Sequence, residues 1–470
     1  MPVSPTYQPD PQFPALGAEF ADPVSAADFP ETILRFRNDR AAATVGLDTL
    51  TDAEWVTHFG RFQPLPGNID PPLAQRYHGH QFRSYNPDLG DGRGFTFAQM
   101  REAGSGRLLD FGTKGSGQTP WSRAGDGRLT LKGGLREVLA TAMLEALGVP
   151  TSRSFSLIET GEALQRGDEP SPTRSAVLVR LSESHIRFGS FQRHAFFEKA
   201  ERITALVDHV IGLYYPELEG ANDRPAALLS AAIGRAARLT ASWMAAGFVH
   251  GVLNTDNMNI TGESFDYGPY RFLPHSDPNF TAAYFDNSGL YSFGRQPEAV
   301  FWNLQQLAGA LSLVTGSDPL VEALNDFGPA YRRELMAAIL RRLGVKRRGD
   351  EEDAQLVQAS FKALAEGGDR LRWEPFFFDW FARSDARALA GPRAALYAEP
   401  AFAEFRERFA GYDPDRPERL AHPYFAGPEP EELLYDQIEA LWAPITDTDD
   451  WRAFHAKLAR IDAARVAHSF

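Results

Sequence analysis

A chain of 470 residues with 62 Asp and Glu against 48 Lys and Arg carries a formal charge of −14, which argues against a nucleic-acid partner but not against a local cationic pocket. Its 43% apolar and 23% charged residues are ordinary for a globular protein with a sizeable core. The absence of cysteine excludes disulfides, thiol nucleophiles, thiolate metal sites and iron–sulfur clusters.

The first twenty residues lack both a basic segment followed by an apolar run and an Arg-rich amphipathic pattern, so neither a signal nor a transit peptide is expected. No apolar stretch reaches the roughly 20 residues that span a bilayer. A cytoplasmic monomer with no membrane partner is the expectation. Residues 1–30 are proline-rich and read as irregular chain. Helical segments are expected around Pro30–Asn38 and at Asp52–His58, the second with Thr51 as N-cap. A turn-rich run, Asp88–Gly94, precedes two strand-like segments, Phe95–Met100 and Leu108–Lys114, joined by a Gly-rich turn as in a hairpin. Leu135, Val138, Leu139, Ala142, Met143, Ala146 and Leu147 recur at helical spacing, and Gly148 and Pro150 end the helix. Strands at Ser154–Thr160 and Ser175–Leu181 flank a linker, Gly161–Thr173, that reads as an exposed loop.

Beyond residue 190 the texture is helical: Phe196–Tyr214, Arg224–Gly247 with Pro225 in its first turn, Pro297–Leu313, Val321–Leu343 and Ala354–Ala365. Asn257–Ile260 and Arg271–Leu273 read as short strands. A small sheet with one helix, followed by a helical body, is the order of an α+β, protein-kinase-like fold of two lobes. The expected division is an N-terminal extension over 1–75, a β-rich N-lobe over 76–190, a helical C-lobe over 191–390 and a C-terminal helical extension over 391–470.

Gly90, Gly92 and Arg93 stand before the hairpin, where glycines let a backbone approach phosphates. Lys114 closes the hairpin's second strand, the position from which a lysine contacts nucleotide phosphates and pairs with a helix glutamate. Glu137 is the partner the next helix offers, although it falls opposite the apolar stripe. Asp126-Gly127 forms another turn. Arg180 ends an apolar strand, and with Arg187 it supplies guanidinium forks suited to phosphate oxygens. His250-Gly251, Asn257 and Asp266 follow one another in the order of a kinase catalytic loop and its metal-binding Asp. Asn257 and Asp266 offer hard oxygen ligands for a metal bridging phosphates. Val252 occupies the position where a kinase carries its catalytic Asp, and Asp256 is the nearest carboxylate. Tyr77-His-Gly-His80 contains a His-x-His pair with no further ligand nearby, so it reads as a structural loop beneath the Gly-rich segment.

The motifs GHQF, LGDGRG, KGSGQTPWSRAGDGR, LREVLATAMLEALGVPTSR, AVLVRLSESHIRFGSF, HGVLNTDNMNITGESFDYGPY and DPNFTAAYFDNSGLYSFGRQP, in that order, resemble the selenoprotein O (YdiU-like) family of pseudokinase-fold protein adenylyltransferases. The resemblance is clearest over about residues 75–305 and weak over 310–470. It implies ATP bound back to front, with AMP passed to a Ser, Thr or Tyr hydroxyl of a protein, this one included. It further implies nucleotide contacts from Gly90, Gly92, Arg93, Lys114, Asp126, Gly127, Arg180 and Arg187. Glu137 would pair with Lys114, Asn257 and Asp266 would hold magnesium or manganese, and Asp256 would accept the proton. The chain departs from the family at Lys132-Gly-Gly134, where Arg-Ser-Ser is expected, and at Arg83, where Gly is expected. Lacking cysteine, it also lacks the redox control of some members. A γ-phosphoryl-transferring kinase and a non-catalytic ATP-binding scaffold are the alternatives; Val252 weighs against the first, the complete set of metal ligands against the second.

Overall fold

The computed structural model describes residues 4–167 and 169–470, and over these the chain is an α+β protein built on an eight-stranded antiparallel sheet. Residues 1–3 of the proline-rich start and Asp168 of the expected loop lie outside the described residues. In chain order the strands are β1 (Ala21–Pro23), β2 (Ile33–Arg37), β3 (Leu73–Gln75), β4 (Gly79–Gln81), β5 (Ser84–Asn86), β6 (Thr96–Arg101), β7 (Leu108–Lys114), β8 (Leu129–Thr130), β9 (Arg153–Leu164), β10 (Thr173–Ser182), β11 (Phe248–Val249) and β12 (Arg271–Phe272). The main sheet runs β1-β3-β6-β7-β10-β9-β2, with β8 added to β10; β4–β5 and β11–β12 are separate two-stranded pairs. The first nine helices are α1 (Asp39–Thr44), α2 (Asp52–Phe59), α3 (Leu131–Ala146), α4 (Phe188–Phe196), α5 (Ala200–Tyr214), α6 (Arg224–Ala245), α7 (Gln296–Leu311), α8 (Ser317–Asn325) and α9 (Phe327–Leu343) among the described residues.

Strand alternation divides the sheet into two buried faces. Leu109, Phe111, Phe155, Val177 and Val179 form one core with Trp55 and Phe59 of α2. Trp55 stacks on Phe155 and donates from Nε1 to Ser156 Oγ (2.9 Å). A capping box between Thr51 and Glu54 starts α2, which satisfies its first amides. Leu108, Leu157, Ala176 and Leu178, on the other face, join α3, α5 and α6 in the largest core. Gly134 lets α3 sit close to the sheet, since a Cβ there would stand 2.4 Å from Leu157 Cδ1. The last helix, Arg452–His468, covers α3 from outside. Among the described residues no helix is long and apolar enough to cross a membrane.

Several elements differ from the sequence expectation. Pro30–Asn38 is β2, not a helix: it extends the sheet edge by pairing Leu34 with Ile158 and Arg37 with Ser156, and Asn38 then caps α1. Asn257–Ile260 is not a strand; a 3₁₀ turn occupies Thr255–Asn257, and Asn259 makes a single bridge to Arg187. The expected helix Phe196–Tyr214 is α5, which starts later, at Ala200: Phe196 ends α4, and Glu198, with a φ of 53°, separates the two. Val321–Leu343 likewise divides, into α8 and α9. The loop expected over 161–173 is shorter, because β9 runs on to Leu164 and β10 starts at Thr173.

Candidate active site

Lys114 ends β7 opposite Leu178 of β10, and Arg180 lies opposite Gly112, so period-two alternation sets Lys114 and Arg180 on one face of the sheet. Thr130 caps α3 by accepting from Gly133 N (3.1 Å), and about two turns later the helix delivers Glu137 to the Lys114 ammonium. Glu137 is only 1% exposed. Periodicity alone set it on a solvent face; the sheet on one side and the last helix on the other bury α3 nearly all round. Lys114 Nζ also lies 2.5 Å from Asp266 Oδ1, and Arg180 Nη1 is 3.5 Å from the same oxygen. Asp266 holds a left-handed backbone (φ 64°), a conformation that a non-glycine residue keeps only where its surroundings dictate it.

The segment 252–258 is held from several directions. Asn303 Nδ2 donates to Leu253 O (2.8 Å), Tyr291 Oη and Phe82 N donate to Asn254 Oδ1 (2.9 and 3.0 Å), and His80 N donates to Thr255 Oγ1 (2.7 Å). Arg187 Nη1 donates to the backbone oxygen of Asp256 (2.8 Å), and Nη2 reaches Asp91 Oδ1 (3.3 Å). The β4–β5 hairpin is thus the brace of this turn. Its Gly79 passes so close that a Cβ would lie 3.1 Å from Asp256 Oδ1. The His-x-His motif meets the 254–256 turn through the backbone of His80, and its two rings bond elsewhere. His78 is bonded to Tyr85 Oη and Arg193 Nη1 (2.8 Å each), and His80 to Gln192 Nε2 (2.8 Å). Burial pushes His78 down to about 4, keeping it neutral. His250 is buried, with Nε2 3.0 Å from Phe265 O.

Gly90 and Gly92 are required by packing: a Cβ on Gly90 would fall 2.3 Å from Trp121 Cγ, and one on Gly92 2.8 Å from Trp121 O. Trp121 is anchored through Nε1 to Asp22 Oδ2 (2.9 Å), and Arg193 lies over its ring. Gly127 turns left-handed (φ 69°) against the backbone of Gly117, and Asp126 pairs with Arg166 (2.8 Å). Arg166 comes from the loop expected to be merely exposed, and it lines the site.

These elements enclose a cavity of about 650 Å³. Its wall includes ten of the twelve residues singled out in the sequence: Gly90, Gly92, Arg93, Lys114, Asp126, Gly127, Arg180, Arg187, Asp256 and Asp266. Glu137 stands behind Lys114, and Asn257 is outside this wall, its Nδ2 donating to Val252 O (2.9 Å). Asp91, Trp121, Arg123, Arg128 and Arg166 also line the wall and were not singled out from sequence. Lone arginines in turns carry no periodic signal; Asp91, inside the Gly-rich motif, could have been paired with Arg187 only through the fold.

The cations outweigh the carboxylates on this wall. Burial works to raise Asp266, but the charges of Lys114, Arg180, Arg93 and Arg187 hold it well below the ordinary carboxylate range. Burial pushes Asp256 up to about 6, with Arg187 opposing. Arg180 and Arg187 are 4% and 5% exposed, and Arg180 Nε and Nη1, Arg187 Nε and Asp256 Oδ1 are buried without a hydrogen-bond partner. Such orphaned groups are costly unless a ligand or water completes them. Polyanion oxygens fit the guanidinium atoms. Among the described residues no group of three or more His, Asp or Glu side chains forms a ready metal cage. The Asp266 carboxylate and the Asn257 amide oxygen are the hard donors at hand, a set that suits a cation sharing its shell with phosphates and water.

Against known proteins, a family profile described as protein adenylyltransferase SelO matches residues 4–462. A protein nucleotidyltransferase YdiU of Synechocystis sp. is 46% identical over 486 residues, covering 97% of this chain and 98% of that protein. One from Gloeobacter violaceus is 47% identical, covering 96% and 94%. One from Pseudomonas putida is 40% identical over 76% of this chain and 73% of its own length. The similarity therefore extends well beyond the motif-rich stretch 75–305, through the helices that follow it.

Proposed function

The chain belongs to the protein adenylyltransferase SelO family, and we propose that it transfers AMP from ATP to Ser, Thr or Tyr hydroxyls of proteins, on a two-lobed kinase-like fold with the nucleotide bound in reverse. In this reading residues 76–190 form the N-lobe and 191–390 the C-lobe, flanked by extensions over 1–75 and 391–470. The observation that carries it is a buried carboxylate, Asp256, with a hydrogen-bond-free Oδ1 on the wall of a cavity rich in guanidinium groups, while Val252 offers no base.

Arg180 and Arg187, too deeply buried to be surface charges, offset the β- and γ-phosphates of a reversed triphosphate. Lys114, held by Glu137, adds a third cation. Asp266 and Asn257 would hold magnesium or manganese, which supplies charge neutralisation of the phosphates when bound. Asp256 takes the proton of the acceptor hydroxyl. The acceptor oxygen bonds to the α-phosphorus as the bond to the α–β bridging oxygen breaks, and pyrophosphate leaves with that electron pair. Positioning and charge stabilisation contribute most of the acceleration. Reaction with α-labelled and, separately, γ-labelled ATP in the presence of magnesium and a protein acceptor tests this. Label retained from the α position alone is the predicted result. Label from the γ position alone would make the protein a conventional kinase, and no label with ATP still bound would make it a scaffold.

A further inference from the structure

A second cavity, of about 710 Å³, opens on the other side of the two segments that carry Arg180, Arg187 and Asp266. Glu183 and Thr261–Glu263, from the same segments, face this cavity. Its size is that of a small-molecule pocket. Five arginines reach it from four elements: Arg107, Arg153 at the start of β9, Arg235 and Arg238 on α6, and Arg341 on α9.

The side-chain carboxylates at this cavity do not balance them. Glu145 is taken by Arg40 (2.9 Å) and Glu183 by Arg235 (3.0 Å). Arg107 and Arg153 share the single carboxylate of Glu102 (2.7 and 3.1 Å). Glu263 accepts from Glu183 N (2.6 Å), and burial together with the Glu183 charge pushes it up to about 7, so it is a weak counter-charge. Arg238 and Arg341 are left with no ion pair among the described residues. Arg341 Nε is buried without a hydrogen-bond acceptor. Burial lowers the Arg341 pKa, and the neighbouring Arg238 charge lowers it further; Glu334 opposes them only at longer range. The Arg238 and Arg341 guanidinium charges repel each other, and each fork presents paired donors matched to a tetrahedral oxyanion.

We propose that this cavity binds a phosphate-bearing small molecule, gripped between Arg238 of α6 and Arg341 of α9, with Arg107 and Arg153 facing it from the sheet. Bound there, the anion ties the sheet to the helices from the side opposite the Lys114 cavity.

Equilibrium dialysis of the full chain with labelled inorganic pyrophosphate, without divalent metal, tests the site. The wild type should retain two pyrophosphates per chain. The Lys114→Ala/Arg180→Ala variant should lose one and keep the other. Arg238→Glu, a change at an exposed position, should weaken that remaining site at least tenfold, and Arg341→Gln should do the same. The proposal is overturned if Arg238→Glu and Arg341→Gln, with melting temperatures near the wild type's, bind with its stoichiometry and affinity. It is equally overturned if Lys114→Ala/Arg180→Ala abolishes all binding.

Discussion

Lys114 sits between two carboxylates with different tasks. Glu137, fully buried, fixes the ammonium in place, while Asp266, half-buried at the cavity, shares it with Arg180. Removing Lys114 leaves Glu137 buried and unpaired and takes a cation from the phosphates, so Lys114→Ala should lower AMP transfer by about 10²- to 10³-fold. Asp266→Ala should be at least as damaging, and both are read as incorporated α-label per enzyme. Asp256→Asn keeps the shape and loses the proposed base, so turnover should fall about 10²- to 10⁴-fold with little change in nucleotide affinity. Glu263 bears on stability. Its folded pKa, about 7, stands above its ordinary value. The native state therefore holds this proton more tightly than the unfolded chain does. The resulting stability is complete below the unfolded pKa and is lost as pH rises through about 7. Glu263→Gln should flatten that slope, seen as a smaller fall in melting temperature between pH 5 and pH 8 than in the wild type.

At the scale of elements, the β4–β5 hairpin and the 254–256 turn act as one unit. Gly79→Val would press a side chain on Asp256 and Thr255, the nearest atoms to its Cβ. It should cut turnover by about tenfold or more through misplacement of the base, while the melting temperature stays close to the wild type's. This unit also marks where sequence reading ends. The hairpin's partner lies about 175 residues away in the chain (His80 to Thr255), and neither periodicity nor turn chemistry reports such a contact. What was legible is local: alternation in Leu108–Lys114 and Ser175–Leu181, the helical spacing of Leu135 to Leu147, and the Thr51 cap. What was not legible depends on tertiary neighbours. The edge strand β2 was mistaken for a helix because only β9 makes it a strand. The burial of Glu137 comes from tertiary neighbours, Lys114 of the sheet among them, not from the stripe of α3. Arg166 reaches the cavity because its loop folds back to Asp126.

Over the whole molecule, a charge of −14 coexists with a cavity whose wall carries Arg93, Lys114, Arg123, Arg128, Arg166, Arg180 and Arg187 against Asp91, Asp126, Asp256 and Asp266. A seven-to-four balance inside an acidic protein concentrates positive potential where a polyanion would bind. The family match over residues 4–462 gives the later helices a part in this architecture, and the last helix shows one such part by covering α3. The most direct test of the account is a crystal structure with a non-hydrolysable ATP analogue and magnesium. The account predicts the γ-phosphate inside, against Arg180 and Arg187, with the α-phosphorus presented to Asp256 and the metal on Asp266 and Asn257. A γ-phosphorus pointing out to the cleft mouth, or a metal seated away from Asn257 and Asp266, would contradict it.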